Sequence, residues 1–340
     1  MRKSRYSWIV MPVLFIFVIL ALFPVCTLAA EKIEWKMATT SPQGHYMSQR
    51  YVVPFANKVR EDSGGRLDIK IFYIGQLPYD GADYLRVVKE RNLDAALAGL
   101  REVVGDVPVT GVFNLPFFFS NVEQVQAAAK ALRPIFDREF GKYNAKLMYF
   151  AEAQTIQLIN KKVRLQTMDA FKGLKLRVLG PEPADALKAL GASPVSVALA
   201  EMYTSMQRGV IDGALTNEGS ALGAKLYEVC KYYTIMNFHE FMTFTFVNLN
   251  SFNALPKDLQ KIVMDAAAWN EQNNFGAIRK ETDDDRATLK QKGVEIIQMP
   301  SGELDKIQKK VSVVVENWVA KGPVHKETYD KALEVIKRSR

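Results

Sequence analysis

The chain has 340 residues, 48% of them hydrophobic, and its 45 Lys and Arg against 37 Asp and Glu give a formal charge of +8. The basic residues are spread along the sequence with no block and no interleaved aromatic platform, so the mild basicity suits a small anionic ligand and excludes a nucleic-acid partner. The only cysteines are Cys26 and Cys230, and loss of Cys26 with the leader would leave Cys230 alone, so no internal disulfide is expected.

Residues 1 to 30 read as a cleavable signal peptide: Arg2, Lys3 and Arg5 precede an apolar run from Trp8 to Val25, and Ala29 and Ala30 stand just before Glu31. A retained spanning anchor and lipid attachment at Cys26 are the alternatives, although Phe23-Pro24-Val25 lacks the small residue usual before a lipidated cysteine. Without the leader, 42 basic residues face 37 acidic ones, and no later run is apolar and long enough to span a bilayer. The expected location is the periplasm. Cys230 is expected at a buried helical position within Leu226-Tyr227-Glu228-Val229-Cys230.

From Ile33 onward, strand-like and helix-like segments alternate, which predicts an α/β fold. A strand over Ile33 to Thr39 is followed by the break Ser41-Pro42-Gln43-Gly44 and a helix from Tyr46 to Glu61. Asp62-Ser63-Gly64-Gly65 stops that helix, and then come a strand over Leu67 to Phe72, a helix over Asp80 to Glu90 and a strand over Leu93 to Ala98. The aromatic run Phe113 to Phe119 reads first as buried packing and second as a ligand wall.

A second cycle has strands from Lys146 to Phe150 and from Gln154 to Ile159, then Leu174 to Val178, where Leu176 and Val178 share one face and Lys175 and Arg177 the other. Leu179-Gly180-Pro181-Glu182-Pro183 ends that strand. A helix from Ala184 to Leu190, a strand from Ser193 to Val197, a helix from Ala200 to Arg208 and a strand from Val210 to Ala214 complete a second β-α-β-α-β unit. The last third reads as helices from Leu255 to Asn274, Gly276 to Lys292 and Glu303 to Trp318, with a frayed basic tail through Lys337-Arg338-Ser339-Arg340.

Two such units predict two lobes with a ligand crevice beyond the carboxyl ends of the strands. Arg177 lies at such an end. A guanidinium on a buried strand is costly unless an anion meets its planar fork, either a ligand carboxylate or a neighbouring Glu182 or Asp185. The three histidines, His45, His239 and His325, lack ligand spacing, so no metal site is expected; His45 falls near the crevice but reads first as a helix-start residue.

The stretch from Phe171-Lys172-Gly173-Leu174-Lys175-Leu176-Arg177-Val178 through Leu190-Gly191-Ala192-Ser193-Pro194-Val195 and Glu201-Met202-Tyr203 to Gln207-Arg208-Gly209-Val210-Ile211-Asp212-Gly213 resembles the signature block of the substrate-binding proteins of tripartite ATP-independent periplasmic (TRAP) transporters, of the dicarboxylate-binding type. Gly64-Gly65-Arg66-Leu67 with Gly75-Gln76-Leu77, the element Leu115-Pro116-Phe117-Phe118-Phe119, and Leu255-Pro256-Lys257-Asp258-Leu259 resemble further parts of the family pattern in the same order.

The resemblance implies a two-lobed periplasmic-binding-protein architecture, a cleft between the lobes and long helices in the C-terminal third. Lobe I would be 31–152 with 242–281, and lobe II 153–241 with 282–340. It implies a non-catalytic receptor that binds a small organic carboxylate through Arg177, hands it to integral membrane permease subunits and needs no cofactor. Thr155 stands where some members carry a second Arg, with Gln157 on the same strand face, and Thr216, followed by Asn217, stands where those members carry Asn. These exchanges weaken the case for a second ligand carboxylate. Tyr79, Leu199 and Thr243 match cleft positions more loosely. A sensor of the same fold and a secreted α/β enzyme are the competing functions; for the latter the sequence offers neither a Gly-x-Ser-x-Gly elbow nor a clustered His/Asp/Glu set.

Overall fold

The computed structural model describes residues 32–152 and 155–338. The leader with its cleavage site and Cys26, the expected strand start at Gln154, and the terminal Ser339-Arg340 lie outside the described residues.

Two sheets organise the chain. β1 (Ile33–Thr39), β2 (Leu67–Phe72) and β3 (Ala95–Gly99) are parallel, with Ile33 opposite Leu67 and Met37 opposite Ala95. β4 (Ala145–Glu152) ends the first passage. The chain then enters the second sheet through β5 (Ile156–Asn160), followed by β6 (Lys175–Val178), β7 (Ser193–Ser196), β8 (Gly213–Thr216) and β9 (Tyr232–His239). It returns through β10 (Met242–Asn248) and later adds β11 (Glu295–Gln298). The strand orders are β2-β1-β3-β10-β4 and β11-β9-β5-β8-β6-β7.

In both sheets three parallel strands are followed by an antiparallel one: β10 beside β3 in the first, β5 beside β8 in the second. Strands carry the chain between lobes from β4 to β5 and from β9 to β10, and each of these crossings delivers an internal strand; the long late helix leads to β11 in the second sheet, and the last helix returns to the first. β10 is buried along its whole length, so both its apolar residues and the threonines that alternate with them are packed inside.

Most expected elements are present, and their departures have local causes. The helix expected from Tyr46 opens with a π turn over Ser48–Val52 before the α-helix Val53–Asp62, because Pro54 has no N–H to return to the preceding turn. Pro181 and Pro183, expected only to end β6, form the first turn of the helix Pro181–Ala189, where an absent N–H costs no hydrogen bond. The two late helices are one, Lys257–Gln291, running through Gly276. Its Leu259, Val263, Ala266 and Ala267 pack in the first lobe and its Leu289 in the second, enough apolar burial to outweigh the roughly 1 kcal/mol propensity cost of a mid-helix glycine.

The helix Val122–Gly141 is not among the elements expected above; its Asn121 cap accepts from the Gln124 N–H at 2.9 Å. The tail expected to fray is the helix Pro323–Arg338. Its Ala332 and Ile336 join the first-lobe core beside Val125 and Leu132, and Glu327 pairs with Arg138 at 2.8 Å, so this part of 282–340 lies with the first sheet rather than the second. Phe113, Leu115 and Phe119 are buried in that same core. Cys230 is buried but follows a short 3-10 turn instead of lying in a helix, and burial pushes its thiol up to about 12. Among the described residues no helix is long and apolar enough to cross a membrane.

Candidate functional site

A cavity of about 140 Å³ opens between the two sheets at the carboxyl ends of their parallel strands. Thr40 and Ser41 reach it from the end of β1, His45 and Tyr46 from the following turn, and Arg101 and Glu102 from the turn after β3. From the other side come Arg177 at the end of β6, Leu179, Leu199, Thr216 at the end of β8, and Asn217. Ile156 and Phe241 close it where the chain crosses between lobes.

Inward, the chamber narrows to a recess shared by Arg177, Arg101, Asn114 and His239. Outward, it widens into a mouth with Ile74 on one lip and Leu199 and Tyr203 on the other.

Arg177 is 4% exposed and held by backbone alone: Nε donates to the Val197 carbonyl at 3.0 Å and Nη1 to the Leu215 carbonyl at 3.0 Å. Those bonds engage two of its five N–H donors. No carboxylate pairs with it among the described residues. Glu182 pairs with Lys321 at 3.0 Å and Asp185 with Lys188 at 3.1 Å, so the intramolecular partners considered from the sequence are engaged elsewhere. Burial first, and the charge of Arg101 second, lower its pKa to about 10, which leaves the guanidinium charged at neutral pH. The arrangement is a desolvated cation with its donors fixed in direction and no paired anion among the described residues.

The flanking motif residues are architectural. Gly209 takes φ 73° to end the helix Met202–Gln207, and Asp212 then docks onto Lys175, its Oδ2 accepting from the Lys175 N–H at 3.0 Å. A Cβ on Gly213 would sit 2.7 Å from the Ile159 carbonyl, so glycine lets β8 seat between β5 and β6 beside Arg177.

Among the other residues singled out from the sequence, the structure brings Thr216, Asn217 and Leu199 to the chamber with Arg177. Asn217 caps the helix Glu218–Gly223, its Oδ1 accepting from the Ser220 N–H at 2.8 Å, and the Tyr46 hydroxyl reaches Asn217 and Ser220 from the opposite lobe. Burial outweighs those bonds and raises the Tyr46 pKa.

Four residues lie elsewhere. Gln157 fills the irregularity between β5 and β9: its Oε1 accepts from the Met236 and Asn237 N–H groups, both at 2.8 Å, and its Nε2 donates to Asn237 Oδ1 at 2.7 Å. Thr155 donates to Glu240 Oε2 at 2.9 Å at the crossing, and its neighbour Ile156 lines the chamber instead. Thr243 is fully buried and donates to the Ala151 carbonyl at 3.2 Å. Tyr79 packs on the first-lobe core.

Sequence reasoning missed Thr40, Ser41, Tyr46, Arg101, Glu102 and Phe241. The strand-end rule that singled out Arg177 applies equally to β1 and β3, and it would have found four of them. His45 does line the chamber; burial lowers its pKa, so it is neutral at pH 7. No group of His, Cys, Asp and Glu suited to a metal ion occurs among the described residues.

Residues 37–321 match the model of the DctP family, bacterial extracellular solute-binding protein family 7. The chain is 32% identical to the uncharacterized protein YiiZ of Salmonella typhimurium over 52% of this chain and 55% of that one, so it spans about half the length of that relative in the match. It is 24% identical to the 2,3-diketo-L-gulonate-binding periplasmic protein YiaO of Escherichia coli over 82% of this chain and 84% of that one. The structure of DctP7, a Bordetella pertussis extracytoplasmic solute receptor binding pyroglutamic acid, superposes with a TM-score of 0.81 at 22% identity, covering 89% of this chain and 99% of that one. The matched span places this chain in the DctP family, the bacterial extracellular solute-binding proteins of family 7.

Proposed function

We propose that this protein is the periplasmic receptor of a TRAP transporter, capturing a small organic acid by a two-bond bridge between the ligand carboxylate and Arg177 and delivering it to the membrane permease. The observation that carries this reading is the buried guanidinium with no carboxylate partner among the described residues, aimed at an interlobe chamber by the Val197 and Leu215 carbonyls. A carboxylate bound there would replace the missing counter-charge in a desolvated site, where a bidentate fit is strongest. Relatives described as binding pyroglutamate and diketogulonate, both acids with one carboxylate, support the ligand class.

Capture would follow from closure of the lobes about the two strand crossings and the helix Lys257–Gln291. Contacts that already bridge the sheets, such as Tyr46 to Asn217, are the kind a bound ligand would reinforce. Export would follow from the basic, apolar and small-residue leader.

A thermal-shift screen over organic acids and matched amides tests the reading, because a ligand selective for the native state raises its melting temperature. One or more carboxylates should stabilise the protein while their amides do not. Stabilisation by amides as well as acids would remove the role assigned to Arg177.

A further inference from the structure

Arg101 and Glu102 form a built pair inside the ligand chamber, and neither has a role in the carboxylate reading above. Both Nε and Nη2 of Arg101 donate to one oxygen, Glu102 Oε1, at 3.0 and 2.7 Å. The other oxygen, Oε2, accepts no hydrogen bond among the described residues. The Glu102 side chain is only 11% exposed, and a Cβ on Gly99 would lie 2.7 Å from Oε2, so the absence of a side chain at Gly99 gives this carboxylate its room. Arg101 also lines the recess with Arg177, and its charge contributes to the environment there.

The charges of the chamber decide what fits. His45 and Tyr46 are neutral at pH 7 because burial disfavours their charged forms. Two guanidinium groups and one carboxylate leave a single positive charge. One ligand carboxylate balances it. A second would lie in the same small chamber as Glu102, with the like charges poorly screened.

From this geometry we infer that the chamber selects a monocarboxylate bearing a hydroxyl or N–H donor beside its carboxyl group, with Glu102 accepting that donor and Arg101 serving an adjacent ligand oxygen. The inference rests on the carboxylate reading of Arg177. It adds a specificity determinant contributed by the first lobe, so the carboxyl group and the donor beside it are read from opposite sides of the cleft.

The test uses the full exported chain and four acids of equal carbon count: 2-hydroxybutanoate, 2-oxobutanoate, butanoate and succinate. Their affinities are measured by titration calorimetry on the wild type, Glu102→Gln and Arg177→Met. In the wild type, 2-hydroxybutanoate should bind about tenfold or more tightly than 2-oxobutanoate or butanoate, the effect of one hydrogen bond to a charged acceptor, and succinate should bind weakly. Glu102→Gln should shrink the hydroxy-over-oxo preference several-fold and strengthen succinate.

Tighter binding of succinate than 2-hydroxybutanoate by the wild type, or an equal loss for all acids in Glu102→Gln, overturns the inference while leaving the Arg177 reading intact. Binding of the acids by Arg177→Met at wild-type affinity overturns the Arg177 reading, and with it the inference. Failure of all four acids to bind the wild type at large excess also overturns both.

Discussion

His239 and Arg177 share the innermost recess of the cleft, and the guanidinium adds to the burial that holds the imidazole pKa down to about 4. Nδ1 lies 3.1 Å from the Glu240 carbonyl, which can only accept, so the neutral ring carries its proton on Nδ1. A histidine with a depressed folded-state pKa contributes stability that is fully present above its ordinary value of 6.5. The contribution is lost as pH falls through the window down to about 4, because the unfolded chain binds the proton first. Urea unfolding from pH 7 to pH 4 should therefore show a loss of about 2 to 4 kcal/mol attributable to this residue. His239→Phe should flatten that part of the profile; an unchanged slope in the variant would place the pH dependence elsewhere.

Gly99 ends β3 with φ −76°, a conformation open to any residue, so alanine there strains no backbone. Its Cβ would nevertheless lie 2.7 Å from Glu102 Oε2 and 2.9 Å from Phe241 Cζ, both side chains of the chamber wall. Gly99→Ala should displace those groups and weaken ligand binding about tenfold, with a small change in melting temperature. Calorimetry and thermal denaturation on the same sample separate the two effects; unaltered affinity would mean that the wall tolerates the displacement.

Glu218 is fully buried in the helix that Asn217 caps, and its Oε1 accepts from Arg286 Nη2 at 2.7 Å and Nε at 3.2 Å, joining the ligand side of the second lobe to the long helix. Burial pushes the Glu218 carboxyl above its ordinary range, with Arg286 opposing the shift. An acid raised in this way contributes stability below its unfolded pKa that is lost as pH rises through the folded one. Arg286→Met removes the opposing charge and raises the carboxyl further. The variant should cost about 3 kcal/mol at pH 7, and less near pH 5, where the carboxyl can take a proton. Adding Glu218→Gln should recover part of the loss in urea titrations, and an additive double mutant would show that the two side chains are not coupled.

β1 and β2 were legible because their apolar residues alternate between short turn signals, and observed bounds match those expected. β10 was not assigned although Met242-Thr243-Phe244-Thr245-Phe246 alternates, and Gly276 was read as a break because only tertiary packing on both lobes carries a helix through it. Within the site, Arg177 stood out as a charge on an apolar strand end. Arg101 and Glu102 were not singled out because the strand-end rule was applied to β6 alone, although they follow β3, whose place beside β1 brings that turn to the cleft. Gln157 and Thr155 were on the expected strand, but a strand irregularity and a buried glutamate, neither visible in one dimension, engage their side chains.

The most direct measurement is calorimetric affinity for the stabilising acid in Arg177→Lys beside Arg177→Ala, with circular dichroism to establish that both variants fold. A lysine keeps the charge but cannot donate two parallel bonds from a plane fixed by the Val197 and Leu215 carbonyls. Both variants should lose about 2 to 5 kcal/mol of binding. Near-wild-type affinity in either folded variant would contradict the assignment of Arg177 as the carboxylate anchor.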